Sequence, residues 1–348
     1  MKKLLALILF LTGFSRLPAC AEAALLVEEP YGAFGSGVPT GHAAIYLPQV
    51  CAVTPTQLRH CNPGELGVVI SRYHRVAGRD WLAIPLLPYL YAVDRVEEVP
   101  TFADEATVRS LRDEYRRTNL RDIAPDTPDG SMPEGDWTQL VGASYDRQIY
   151  MFEFDTTPRQ DAKLIATLNS QSNRSHFNLF FYNCADFSRK VINFYHPRAT
   201  HRSLTADLGI MTPKQLAKSL VKYNKRHDNL DLTAFVIPQV PGTIERSHPP
   251  HGVLESLLKT KKYVIPLSPL AVVHPFFAAG VVATYFFSGH FEPEKASEML
   301  QNPEQVEVLA EHFAQPDEPG SSLGTAALGP EDPAGSRHRA WTSATADN

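Results

Sequence analysis

The apolar positions of this chain change period several times, and each change marks an element. Ala43 to Leu47 (AAIYL) is a short apolar run with branched and aromatic side chains, opened by Gly41 and His42; it predicts a strand with His42 at its head. Gly67 to Tyr73 (GVVISRY) predicts a second strand. The two would form a hairpin around a long connection, Val50 to Gly64, whose Pro, Thr, Asn and two cysteines read as a loop. Trp81 to Val93 is apolar but broken by Pro85 and Pro88, and predicts an irregular buried segment. Asp104 to Leu120 predicts a helix. Asp104 can cap it, Glu105 suits its first turn, and Val108, Leu111 and Tyr115 recur at helical spacing. A turn-rich loop, Ile123 to Asp136, leads to a predicted strand from Gln148 to Phe154. Thr157 and Pro158 open the next helix, which carries Leu164, Ile165 and Leu168; Pro is preorganised for the first helical position. Asn178 to Tyr182 (NLFFY) is a short apolar strand or extended approach, followed by Asn183 and Cys184. Phe187, Val191 and Phe194 then share one helical face of Ala185 to Tyr195, and Pro197 stops that helix. A further helix starts at Thr212 and Pro213 and carries Leu216, Leu220 and Tyr223. The fold expected is α+β: a small antiparallel sheet packed against the helix that follows Asn183, with extra helices around it.

The ends have a different character. Lys2 and Lys3, the apolar stretch Leu4 to Phe14, and the small-x-small triplet Ala21-Glu22-Ala23 form the pattern of a secretory signal over residues 1–23. Leu17-Pro18-Ala19-Cys20 offers a rival reading as a lipid-attachment box, against which stand its proline and the preceding Arg16. Both readings put the protein outside the cytoplasm, periplasmic or secreted. Residues 24–240 hold the predicted elements as one domain. Residues 241–290 combine a Pro-rich linker (Pro238 to His251) with an apolar stretch, Tyr263 to Gly289. That stretch is either a membrane contact or a buried irregular segment. Leu270 to Phe287 is nearly charge-free and close to spanning length, but Pro266, Pro269, His274 and Pro275 interrupt the longer run. Lys259, Lys261 and Lys262 also lie on the side that the positive-inside tendency disfavours. Residues 291–348 are acidic and then rich in Pro, Gly, Ser and Ala, a composition that does not fold alone.

Composition narrows the function classes. At 348 residues, 43% hydrophobic and 20% charged, the chain is globular, and its formal net charge of −5 does not call for a nucleic-acid partner. His248 and His251 lack metal-ligand spacing. Asp126, Asp129, Glu134 and Asp136 do not fit a calcium loop. No Gly-rich phosphate loop is present, so no cofactor is expected. The four cysteines carry more information. With Cys20 in the leader, Cys51 and Cys61 can pair across their loop in an oxidising compartment, which leaves Cys184 alone. An unpaired cysteine in an exported protein is either a reactive thiol or a small buried hydrophobe; a third option is a structural bridge to Cys51 or Cys61.

A thiol nucleophile needs a lowered pKa and a base. Helix N-termini favour the thiolate through free N–H groups and aligned peptide dipoles, and Cys184 stands where the first turn is predicted. The same N–H groups can stabilise an oxyanion. His42, fixed on a strand, is the candidate base, although any one of 13 histidines is a weak signal by itself.

At these residues the chain resembles a known group. Gly41-His42-Ala43-Ala44-Ile45-Tyr46-Leu47 resembles the histidine strand of the circularly permuted papain-like enzymes, of NlpC type and lecithin:retinol acyltransferase type. Tyr182-Asn183-Cys184-Ala185-Asp186-Phe187 resembles their Asn-Cys helix start, and histidine precedes cysteine here as in that group. The resemblance spans Gly41 to Tyr195 and rests on two short motifs. It implies Cys184 as nucleophile, His42 as general base, and a third polar residue on the following strand, for which Ser71, Tyr73 and His74 are the candidates. It further implies acyl transfer through a thioester, on a cell-wall peptide or a lipid-like acyl amide or ester. A rival expectation is a binding or structural module that kept the fold and lost the activity.

Overall fold

A computed structural model of the chain describes residues 21–31, 40–227, 230–253, 255–256, 276, 279–280 and 291–300. Six strands form one antiparallel sheet: β1 (Ala21–Glu28), β2 (His42–Leu47), β5 (Val68–Ser71), β6 (Leu82–Pro85), β7 (Ile149–Thr156) and β8 (Thr233–Ile237). Their spatial order is β6-β5-β2-β1-β7-β8, so β1 and β2 lie at the centre. β3 (Val50–Thr54) and β4 (Gln57–His60) form a separate two-stranded hairpin.

Helices cover both faces of the sheet. On one face, Leu25, Ile45, Ile70 and Phe152 pack against Leu164, Phe187, Val191, Ile192, Leu216 and Leu220. These belong to α4 (Pro158–Ser170), α5 (Cys184–Tyr195) and α6 (Pro213–His227). On the other face, Leu26, Ala44, Val69 and Ile84 meet Tyr89 and Tyr91 of α1 (Leu86–Tyr91), Val108 and Tyr115 of α2 (Glu105–Asn119), and Tyr145 of α3 (Ala143–Asp146). Coverage on both sides explains why Ala23 to Val27 are all buried although only alternate residues share a face.

The predicted caps form. The Asp104 side chain accepts from the Thr107 N–H, and Thr157 caps α4 ahead of Pro158. β2 and β5 pair antiparallel, Ile45 opposite Ile70, as the two apolar runs required. Four expectations are corrected. The Val50–Gly64 connection is not a loop but the β3–β4 hairpin, closed by a Cys51–Cys61 disulfide. The hairpin turns at Pro55 and Thr56, and Leu58 makes two hydrogen bonds with the Asn169 side chain, 2.9 and 2.8 Å. The segment Trp81–Val93 is not irregular: Pro85 ends β6 and precedes the first turn of α1, where a missing N–H costs nothing. Pro238–His251 is no free linker. Gln239 is buried and donates to the Tyr145 carbonyl, and Ser247 binds Glu29 and the Gln148 N–H. Residues 291–300 do not belong to a structureless tail, because α7 (Pro293–Leu300) packs on β7 and β8 with Ala296 and Ser297 buried.

Ala21 to Ala23, placed with the leader by sequence, form the first rungs of β1 opposite Thr156, Asp155 and Phe154. The segment before residue 21, where the sequence predicts a leader, nearly all of Tyr263–Gly289 and the chain beyond 300 lie outside the described residues. Among the described residues no helix is long and apolar enough to cross a membrane.

The disulfide closes a loop with a sequence separation of 10. Loop-closure entropy then gives about 2.5–3 kcal/mol of stabilisation. The Cys51→Ala/Cys61→Ala variant should lose about that much in a denaturant titration, and mass mapping without reductant should find Cys184 unbridged.

Candidate active site

The site is built where β5 stops. β5 ends at Ser71, two residues short of the head of β2, so the last rungs of β2 have no strand on that side. Two groups fill the gap. The Ser71 hydroxyl donates to the Ala43 carbonyl at 2.7 Å. A strand residue's N–H and C=O point the same way, so the Ala43 N–H also faces this opening, where it meets the sulfur of Cys184. The thiol reaches it from the first turn of α5, on one face of the sheet. His42 comes from the other face, paired across the central strands with Glu28. Cys184 and His42 thus flank the end of β5 from opposite faces of the sheet, with Ala43 between them in the chain contacting the sulfur.

Gly41 positions His42. Its φ of +75° is left-handed, and a Cβ there would stand 2.0 Å from the Glu28 carbonyl oxygen. No other residue fits that approach. The His42 ring is buried, with Nε2 2.9 Å from Ser71 Oγ, and it stacks on Tyr73 with ring centroids 5.0 Å apart. Because the single Ser71 proton goes to Ala43, Nε2 must carry the N–H and donate to Ser71 Oγ. The Nδ1 lone pair is then the basic position.

Cys184 is the first helical residue of α5; the residue keeps some surface exposure, but its thiol is turned into the packed corner. The N-cap, Asn183, accepts from the Asp186 N–H at 2.9 Å and donates to the Leu179 and Met211 carbonyls at 3.0 and 2.9 Å. The cap satisfies the third helical N–H and leaves those of Cys184 and Ala185 turned to the sulfur. Asp186, fully buried, binds Arg202 at 2.6 Å and fixes this turn to the chain that follows α5.

Behind His42 lies a buried polar network that the sequence pattern does not reveal. Glu28 pairs with Arg147 at 3.0 Å and accepts from the Tyr89 hydroxyl, which in turn reaches Tyr73. The Arg147 guanidinium lies over the Tyr31 ring, 4.4 Å from its centroid. The only sequence signal is an acid at the end of a wholly apolar run, Glu28 after Ala23–Val27. Its partner is more than a hundred residues away, beyond the reach of local periodicity.

Of the three candidates for the orienting role, Ser71 bonds the imidazole and Tyr73 packs against it. His74 turns outward, pairs with Asp136 at 3.2 Å and touches Phe177. The expected ionisation is also revised. Three N–H groups favour the Cys184 thiolate, but burial outweighs them and pushes the thiol up to about 11. Burial likewise lowers His42 to about 4, while the opposing influences of Glu28 and Arg147 are smaller. The pair therefore rests as neutral thiol and neutral imidazole, and sulfur and ring are not hydrogen-bonded to each other. Among the described residues, the one grouping with metal-ligand spacing is Cys51, Cys61 and Glu65, and its cysteines are consumed in the disulfide.

A surface cavity of about 670 Å³ is lined by Arg75, Gly78, Ser175, His176, Phe177, Asn178 and Tyr182, and includes neither Cys184 nor His42. Its wall is pegged in place by Asn173, whose side chain accepts from the Asp80 and Trp81 N–H groups and donates to the Trp81 carbonyl.

The pKa of His42 makes stability depend on pH. Unfolding restores an ordinary imidazole near 6.5, so from there down to about 4 the unfolded chain takes up a proton that the fold refuses. His42 should therefore cost about 3 kcal/mol as pH falls through that window, and nothing above it. Denaturant titrations of wild type against His42→Asn should diverge from pH 7 to pH 4 by that amount.

No family model, curated protein or solved structure matches this chain. The fold and the site geometry are accordingly what any functional reading of it starts from.

Proposed function

We propose that the chain is an acyl-transfer enzyme, a thiol hydrolase or acyltransferase, with Cys184 as nucleophile, His42 as general base and Ser71 as the residue that orients it. The observation that carries this reading is the meeting of Cys184 Sγ with the Ala43 N–H, one residue from an imidazole whose Nε2 is held by Ser71. The thiol proton would pass to His42 Nδ1 as sulfur attacks an acyl carbon. The leaving alcohol or amine would take the proton back, and water or another acceptor would then cleave the thioester. The free N–H groups of Cys184 and Ala185, with that of Ala43 beside them, suit an acyl oxyanion. The order of histidine strand before cysteine helix, the antiparallel sheet and the helix on its face are those expected of a permuted papain-like enzyme. The substrate classes consistent with this chemistry are a cell-wall peptide amide and a lipid-type ester or amide. The disulfide is compatible with an extracytoplasmic site of action.

One observation favours the rival reading of an inactive binding module. An imidazole near 4 is a weak base and a thiol near 11 a reluctant acid, so proton transfer is uphill before substrate binds. Acylation of Cys184 by a p-nitrophenyl ester, followed by intact mass, separates the two. As an enzyme, the acylation rate rises as pH passes about 4, is level through neutrality, and rises again only as the thiol ionises near 11. His42→Gln should slow the neutral-pH rate about 100-fold or more, and Ser71→Ala about tenfold, the worth of one orienting hydrogen bond. A single rise with the thiol's own ionisation, untouched by His42→Gln, would assign the inactive module.

A further inference from the structure

The segment directly before the nucleophile is built in an unusual way. Leu179, Phe180, Phe181 and Tyr182 are four consecutive apolar residues, exposed by 51%, 52%, 55% and 46%. Single exposed apolar side chains need no explanation, but a contiguous run of four does. The run is not loosely held. Asn178 and Tyr182 exchange backbone hydrogen bonds at 3.2 and 3.0 Å, and Asn178 Oδ1 accepts from the Phe180 N–H at 2.8 Å. Asn183, the cap of α5, grips the Leu179 carbonyl. The turn is therefore fixed relative to Cys184, and its side chains are displayed outward.

Its surroundings are cationic. Arg202 lies 5.3 Å from the Phe181 ring centroid and donates to the Phe181 carbonyl, and the Lys190 ammonium lies 5.3 Å from the Tyr182 ring. Exposed Arg75, Arg79 and Arg174 stand on the two loops joined by the Ser175–Gly78 hydrogen bond. Buried Asp186 neutralises Arg202 and Asp80 neutralises Arg72, and neither 72–79 nor 171–185 contains a further acid, so Lys190, Arg75, Arg79 and Arg174 carry the positive charge of the rim. Exposed Asp136 is paired with His74. A chain with net charge −5 thus gathers a positive rim around one apolar tip. Aromatic and aliphatic side chains ringed by Lys and Arg match the boundary between acyl chains and anionic headgroups.

We propose that the Asn178–Tyr182 turn is an interfacial docking element that seats the Cys184 corner on a bilayer carrying anionic lipid. It is distinct from the apolar Tyr263–Gly289 stretch. It rests on the acyl-transfer reading only for its purpose, by placing a lipid-type acyl substrate within reach of the thiol; the binding itself does not need the thiol.

The full chain would be mixed with phosphatidylcholine vesicles containing phosphatidylglycerol, and the bound fraction measured by flotation. Binding should fall more than about tenfold in Phe180→Ser/Phe181→Ser, weaken with added salt, and persist in Cys184→Ala. Circular dichroism and thermal melting would verify that the double variant is folded. Phe181→Trp offers a second readout, with its emission shifting to the blue on adding vesicles. Unchanged binding of the double variant, together with no shift in Phe181→Trp, would overturn the proposal. So would a dimer that the double variant turns into monomers, since the turn would then be covered by a second copy. Acylation of Cys184 by a soluble ester without vesicle binding would reject docking alone; vesicle binding without acylation would reject the enzyme alone.

Discussion

The Ser71 hydroxyl has one proton to give, and the structure commits it to the Ala43 carbonyl. Much of the site follows from that allocation. The oxygen is left as an acceptor, so His42 must present its Nε2 proton to it, and the opposite ring nitrogen becomes the base. The hydroxyl also closes the end of β2 where β5 has run out, which is what leaves the neighbouring Ala43 N–H for the sulfur. One strand that ends early therefore sets a tautomer, a donor and an opening in the sheet.

The electrostatics of this corner run against a simple picture of helix-activated thiolate. A helix N-terminus does turn its N–H groups on Cys184, and desolvation still wins. The same desolvation acts on His42, where it outweighs Glu28, which favours the charged ring, and is joined by Arg147, which opposes it. Both partners are thus held neutral by the same cause, and a group that alters water access to the corner would alter both together.

What was legible in the sequence is what local physics decides. The AAIYL and GVVIS runs could only be strands. Asp104 announced a helix start because its side chain can serve an orphan N–H group, Pro158 because its ring suits the first turn, and the lone Cys184 followed from cysteine arithmetic once Cys51 and Cys61 were paired. The failures have a common origin. β1 is buried on both faces, so it reads as a continuous apolar run, and next to an apolar leader such a run has no period to distinguish it. The β3–β4 hairpin looked like a loop because its Pro and Asn residues were weighed without the Asn169 side chain that completes its hydrogen bonds. Glu28 and Arg147 were invisible because the meaning of a buried acid lies in a distant partner. Pro238–His251 looked like a linker for the same reason: its contacts with Tyr145 and Glu29 are tertiary.

The central place of β1 has a consequence for how the chain is made. β1 finds β2 soon after it is synthesised, but its other edge waits for β7, with everything from His42 to Asp146 in between. During that interval an apolar strand edge is open to any neighbouring chain, and a long loop must close before it is sealed. Nascent protein is thus at its most vulnerable in mid-synthesis. That one edge stays open until Ile149–Thr156 is there to cover it.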